Sequence, residues 1–377
     1  MSVRTDVGTV ADLHASATKL TGLTDFGADD YTEALRILLD SYREEAGLTE
    51  LGSKMSRFFL RGTLIARALS QAAWAANPEY VETPVTQPIF VTGLPRTGTT
   101  ALHRLLAADP ANQGLEMWLT DFPQPRPPRE GWADNPAYQQ IDAGLRQHQV
   151  QNPEFMGLHY MSAADVEECW QLLRQSLMSH SYECLAHIPG YAQWLAGRDW
   201  TPAFARHRRN LQLIGMNDPR RWVLKNPSHL FCLDALLATY PDAIVIHTHR
   251  DPATIIGSMC SLAEHATRGW STVFTGPTIG RTQLDLWARG LTEFTAARAR
   301  HPEATFIDVD FDDLRTDPLA VVDHIYTHTT TPLSPTARTA ITALDHESRT
   351  GPRKPTHHYS LTDYGLTEDM VTERFRG

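Results

Sequence analysis

The chain has 377 residues, with 42% hydrophobic and 9% aromatic content, enough to bury the core of one large α/β domain or two smaller ones. A net charge of −10 argues against a general nucleic-acid binder, whose footprint would be basic, but it leaves room for a local basic pocket. No apolar run reaches the roughly 18 residues that a membrane span needs, and residues 1–20 mix Arg4, Asp6, Asp12, His14 and Lys19 with small residues rather than forming a signal peptide, so a cytoplasmic protein is expected.

Residues 1–80 read as helical. One helix is predicted over Asp25–Arg43, with Asp29 or Asp30 as its N-cap, and a second over Leu51–Trp74. Neither carries a catalytic motif. Tyr80–Gln87 is an extended connector into the first core strand, Ile89-Phe90-Val91, whose continuous apolar run suits a strand buried on both faces. Then comes Gly93-Leu94-Pro95-Arg96-Thr97-Gly98-Thr99-Thr100, followed by Leu102, Leu105 and Leu106 at helical spacing. Strand, tight loop and helix in this order make a phosphate site, because the loop and first helical turn present unpaired N–H groups at the positive end of the helix dipole. Thr97, Thr99 and Thr100 add hydroxyls, and Arg96 adds a positive fork.

Beyond this helix, Gly114 to Trp118 leads into a proline-rich run, Phe122–Arg129, read as a stiff loop at the mouth of a site; its Arg126 and Arg129 are candidates to meet an anion or to be merely solvated. Residues 134–215 read as helices, one of them begun by Glu167-Glu168-Cys169-Trp170, with Tyr191, Trp194, Trp200 and Phe204 close behind. Such an aromatic insert shapes an acceptor pocket or simply packs helices. Strands return at Arg221–Lys225, Ile244–His249 and Ala304–Asp310, separated by helices, the last of them Pro318–Tyr326. Strands alternating with helices imply a parallel sheet with helices on both faces and a ligand beyond the carboxyl ends of the strands. Arg96, Lys225 and Arg250 all follow strand ends, so they are expected to converge. The division expected is a helical extension, residues 1–86, and an α/β domain, residues 87–377, with its helical insert at about 134–215. The basic, proline-interrupted stretch 351–360 is expected to fold back on the core, and Leu361–Arg374 to form a last helix or to be partly disordered. Cys169, Cys184, Cys232 and Cys260 form no C-x-x-C pair, so they signal no zinc or redox motif and read as buried free thiols.

Gly93, Gly98 and Thr100 match the spacing of the nucleotide phosphate loop G-x-x-x-x-G-K-[ST], but Thr99 stands where that motif has lysine, which weakens an ATP reading. The loop instead resembles the 5′-phosphosulfate loop of sulfotransferases that use 3′-phosphoadenosine 5′-phosphosulfate (PAPS). Arg250-Asp251-Pro252 with Ser258 eight residues after the arginine is similar to that family's 3′-phosphate motif. Lys225-Asn226-Pro227-Ser228-His229 resembles the lysine–proline strand end of its bacterial and Golgi-type members, and His358 to Leu366 the tail of the bacterial branch.

The resemblance implies sulfuryl transfer from PAPS, as co-substrate and without a metal, to a hydroxyl or amine of a small, hydrophobic or aromatic acceptor. It implies donor binding by Pro95, Arg96, Thr97, Gly98, Thr99, Thr100, Arg250 and Ser258, with Arg353 and Lys354 closing over the bisphosphate. Many cytosolic relatives carry lysine where Arg96 stands; arginine keeps the charge but does not give up a proton. Arg96 is therefore assigned charge stabilisation, and Lys225 the bridging oxygen or sulfuryl group. For the base, Glu116 is the first candidate, His229 the second and His159 the third; the bacterial branch often has glutamate after the tryptophan matched by Trp118, where this chain has Leu119. The alternatives are a small-molecule kinase using ATP and Mg²⁺, or a non-catalytic nucleotide-binding protein of the same fold. Whether the chain forms a homo-oligomer is left open.

Overall fold

A computed structural model describes residues 6–151, 161–350 and 359–376. Its centre is a five-stranded, wholly parallel sheet: β1 Ile89–Gly93, β2 Asn112–Gln113, β3 Arg221–Lys225, β4 Ile244–His249 and β5 Thr305–Asp310, in the order β2-β3-β1-β4-β5. The four longer strands are the predicted ones. The two-residue edge strand β2 is an addition, and Asn112 and Gln113 carry no apolar pattern by which to read it. The register sets Ile89 beside both Val223 and Ile244, so one apolar row crosses the central strands.

Alternation along each strand divides the side chains between two layers. Ile89, Val91, Val223, Ile246 and Ile307 meet Leu102, Leu105 and Leu106 of helix α4 (Thr99–Ala107) and the helix Pro318–Tyr326. Phe90, Trp222, Leu224 and Val245 face the larger core on the opposite side, built with the helices Pro252–Ala266 and Gly276–Arg300. Each fully buried Ile, Val, Leu or Phe contributes about 1.5–3 kcal/mol, which fixes the strand ends where the polar residues follow.

The helices α1 Val10–Thr21, α2 Thr32–Glu44 and α3 Glu50–Ala76 join this larger core through Leu13, Leu35, Leu38 and Leu64. Asp29 and Asp30 are not the N-cap of α2, which is Tyr31 without a side-chain cap. Asp29 instead accepts from Thr32 Oγ1 and Asp30 pairs with Arg67 at 2.6 Å. Arg67, almost wholly buried, also donates to the carbonyls of Phe26, Ala28 and Gln175, so Asp30 partly neutralises a charge that has left water. Tyr191, Trp200 and Phe204 of the insert are buried in the core. The expected terminal helix 361–374 is a 3₁₀ turn, Leu361–Tyr364, then Gly365 in the left-handed conformation, then a helix Glu368–Arg376. The four cysteines are free thiols, and burial raises each. Among the described residues no helix is long and apolar enough to cross a membrane.

Candidate active site at the strand ends

β1 ends in Gly93, with φ of +141°, so close to β4 that a Cβ there would lie 2.5 Å from Thr248 Oγ1. The loop then closes on Gly98, with φ of +87°, which N-caps α4 and offers no side-chain cap. The first-turn N–H groups of α4 therefore have no side-chain cap from Gly98. Thr97 differs from expectation. It is fully buried, its hydroxyl donates to Leu94 O (2.6 Å) and shares a hydrogen bond with Thr248 Oγ1 (2.5 Å), so this hydroxyl pins the loop to β4. Pro95 and Thr99 are buried, and Thr100 is exposed.

Arg96 occupies the left-handed region at φ of +68°, which costs a non-glycine residue about 1–2 kcal/mol. Its carbonyl accepts from Arg250 Nη1 at 3.0 Å, and this bond holds it there. Arg250, immediately after β4, has its guanidinium carbon over the Phe311 ring, 4.0 Å from the centroid. Two guanidinium groups thus approach one loop, and among the described residues neither has a carboxylate partner. Burial, and then the neighbouring Arg250 charge, lower the proton affinity of Arg96, while Tyr359 acts the other way. An anion near both charges would offset this repulsion. Ser258 is half-buried two turns into the helix Pro252–Ala266 that Asp251 caps. Arg353, Lys354 and His159 lie outside the described residues.

Lys225 closes β3 on the α4 face of the sheet, with its side chain only 3% exposed. Its Nζ donates to Thr100 Oγ1 at 3.2 Å and forms an ion pair with Glu168. It therefore supplies, from the next strand, a positive charge beside the loop that has Thr99 at the usual lysine position. Glu168 was expected inside a helix, but that helix begins only at Trp170. The preceding stretch is extended and pinned: Glu167 N donates to Leu115 O at 2.7 Å, and Cys169 N to Lys225 O at 3.0 Å. These bonds aim Glu168 at Lys225. On α4 itself, His103 Nε2 meets Val223 O at 3.1 Å; burial, assisted by Lys225, pulls its pKa down to about 3, so it is a neutral pin between helix and strand.

The two leading base candidates are elsewhere. The Glu116 carboxylate is held by Arg126, at 2.9 Å from Nη2 and 3.1 Å from Nε, and Arg126 also pairs with Asp218 at 2.8 Å and donates to Gln113 and Gly114. Burial pushes the Glu116 pKa up and Arg126 opposes it. Arg126 is thus the hub of a buried ion cluster stacked near Trp222, rather than an anion-binding loop residue. His229 is buried on the opposite side of the sheet, against Phe90 and Phe204, and among the described residues neither ring nitrogen has a hydrogen-bond partner. Burial holds its pKa well below the ordinary value. The expected outcome for Glu116→Gln is lower thermal stability, by about 1–3 kcal/mol for an impaired buried pair, with kcat within about threefold of the parent. Unfolding and initial-rate measurements on one preparation check this.

A parallel sheet whose central strand feeds a glycine–threonine turn, flanked by arginines and a strand-end lysine, is a strand–loop–helix arrangement with the donors and charge to hold an anionic group. The chain belongs to the sulfotransferase family, whose sequence model matches residues 88–335. Sulfotransferase STF1 from Mycobacterium tuberculosis H37Rv is 62% identical, with a TM-score of 0.92 over 99% of both chains. STF9 from Mycobacterium avium is 26% identical, with a TM-score of 0.88 over 100% of this chain and 96% of its own. Among curated proteins, the omega-hydroxy-beta-dihydromenaquinone-9 sulfotransferase Stf3 of M. tuberculosis (strain CDC 1551 / Oshkosh) is 26% identical over 254 residues, 64% of this chain. The match spans 62% of that relative's length.

Proposed function

We propose that this protein transfers the sulfuryl group of PAPS to the hydroxyl of a hydrophobic small molecule. The observation that carries the reading is the placement of Lys225 between Thr100, in the phosphate turn, and Glu168, a carboxylate. One ammonium group therefore touches both the donor side and a proton acceptor. The turn N–H groups and Arg96 hold the 5′-phosphosulfate, and Arg250 with Ser258 holds the 3′-phosphate. In the reaction the acceptor oxygen attacks sulfur while Glu168 takes its proton. The bond from sulfur to the 5′-phosphate oxygen breaks, and adenosine 3′,5′-bisphosphate leaves. Charge grows on that oxygen, where Lys225, Arg96 and the helix N-terminus offset it; this is positioning and electrostatics, as in phosphoryl transfer.

Glu168 replaces Glu116 as the proposed base because its carboxylate meets the strand-end Lys225, whereas that of Glu116 is consumed by Arg126. We assign the acceptor side to Trp170, two residues after Glu168, whose ring carries the Arg174 guanidinium at 3.5 Å from its centroid. Such a wall suits an apolar acceptor, and Stf3 is named for a hydroxylated menaquinone. Titration with adenosine 3′,5′-bisphosphate in the absence of metal, and with ATP and Mg²⁺, tests the donor class. Adenosine 3′,5′-bisphosphate is expected to bind at least tenfold tighter than ATP with Mg²⁺, and the reverse order would return the kinase reading. An acceptor screen with labelled PAPS then follows, with Arg96→Ala as the inactive control.

A further inference from the structure

On the sheet face opposite Lys225, beside the site already described, three ligand-type side chains meet. His247 and His249 lie two residues apart on β4 and so project to the same side. The parallel register sets Asp308 of β5 beside His247. Asp308 Oδ1 is 2.7 Å from His249 Nε2 and 3.7 Å from His247 Nδ1, and the two imidazole rings stand 4.1 Å apart, edge to face. One donor atom from each residue lies within 4.8 Å of the others. Among the described residues this is the only group of three or more His, Cys, Asp or Glu side chains so disposed.

We propose that His247, His249 and Asp308 bind a divalent transition-metal ion of the Zn²⁺ class. Two imidazole nitrogens and one carboxylate are a borderline donor set that favours Zn²⁺, Co²⁺ or Ni²⁺ over Mg²⁺ or Ca²⁺. The geometry is close to what such an ion requires. Tetrahedral bonds of about 2.0–2.1 Å place donor atoms about 3.4 Å apart, so the 2.7 Å pair must open and the 3.7 Å pair close by less than about 1 Å each. Rigidity and freedom are suitably divided. His247 is 5% exposed and wedged against Phe294 at 4.5 Å, while His249 and Asp308 are about half exposed, at the more open edge of the group. Three protein ligands leave a fourth position for water.

Arg298 is the competitor. Its Nη1 and Nη2 hold the two Asp308 oxygens at 2.7 and 2.8 Å, so the carboxylate already has a cation. A metal ion must turn part of that guanidinium away, which weakens binding and predicts its sign of change on mutation. Asp310, the next acid on this side of β5, is occupied as the N-cap of the helix Phe311–Thr316 and is no fourth ligand. The bound ion would tie β4 to β5 one residue before Arg250.

The test uses the full, tag-free chain with Co²⁺ or Zn²⁺ alone, followed by visible absorption of Co²⁺ and by calorimetry. The expected result is one equivalent bound in the micromolar range, with d–d bands of a four- or five-coordinate site. His249→Ala, which removes an exposed side chain, is expected to weaken this step at least tenfold. Arg298→Ala is expected to tighten it severalfold, because the competing guanidinium is gone. The proposal is overturned if no stoichiometric step appears at up to millimolar metal. It is equally overturned if the step survives His249→Ala, which would assign it to other histidines, or if Arg298→Ala weakens it.

Discussion

Replacing Glu168 with glutamine is expected to lower kcat by about 10²–10⁴-fold, the usual worth of a positioned general base, while the affinity for adenosine 3′,5′-bisphosphate changes less than about threefold. The separation follows from where the side chain sits. Its carboxylate meets Lys225, and Lys225 in turn meets Thr100, so the lysine links the glutamate to the donor loop. Glutamine keeps an acceptor oxygen for Lys225 and the backbone pins at Glu167 and Cys169, so the fold around the site persists. What it loses is the ability to take a proton. A variant with both properties intact would remove Glu168 from the mechanism and return the search to the acceptor wall. A variant that lost nucleotide binding as well would make the glutamate a positioning group for Lys225. Paired with Glu116→Gln, the experiment assigns the base by contrast: two carboxylates in adjoining segments, one expected to matter to rate and the other to stability.

That contrast also marks what the sequence could and could not disclose. The strand–turn–helix was legible because its signal is local: Gly93 and Gly98 both have positive φ and bracket the turn, although Thr248 and Arg250, far along the chain, also help to hold it. The convergence of Arg96, Lys225 and Arg250 was legible because parallel strands deliver their carboxyl ends to one edge. Glu116 and Glu168 could not be ranked from spacing. Both are followed by apolar residues and both precede a short helix. The choice depends on Arg126, ten residues past Glu116, folding back to claim one of them, and on a backbone bond from Cys169 to Lys225 across 56 positions of chain. A small signal was present: Glu167-Glu168 set two acids beside a cysteine and tryptophan at the mouth of an apolar helix, where solvation alone gives no reason for a charge. Thr97 shows the converse error. Its hydroxyl type fits a phosphate contact, yet β4 packs too near for it to face anything but Thr248 and Leu94.

Removing Arg250 is expected to have the largest effect on donor binding, and in a form that identifies the phosphate it serves. Arg250 does two things at once. It presents a guanidinium at the end of β4, and it donates to the carbonyl of Arg96, a residue held in a conformation it would not choose alone. Arg250→Ala is therefore expected to weaken adenosine 3′,5′-bisphosphate by about 10–150-fold, the equivalent of one charge-assisted hydrogen bond of about 1.5–3 kcal/mol. Adenosine 5′-monophosphate, which lacks the 3′-phosphate, is the discriminating ligand. If Arg250 grips the 3′-phosphate, the parent protein prefers the bisphosphate and Arg250→Ala loses most of that preference. If Arg250 acts only by holding the loop, both nucleotides weaken equally and the preference stays. Arg250→Lys separates the contributions further, because lysine keeps the charge but cannot present a planar fork to a phosphate and a carbonyl together. An intermediate affinity with the preference retained is expected. Ser258→Ala should reduce the same preference by a smaller factor, since it removes one hydroxyl donor and no charge. Unchanged preference in both Arg250→Ala and Ser258→Ala would separate the downstream motif from the donor, and the reading of two anionic ends gripped by one edge of the sheet would fail with it.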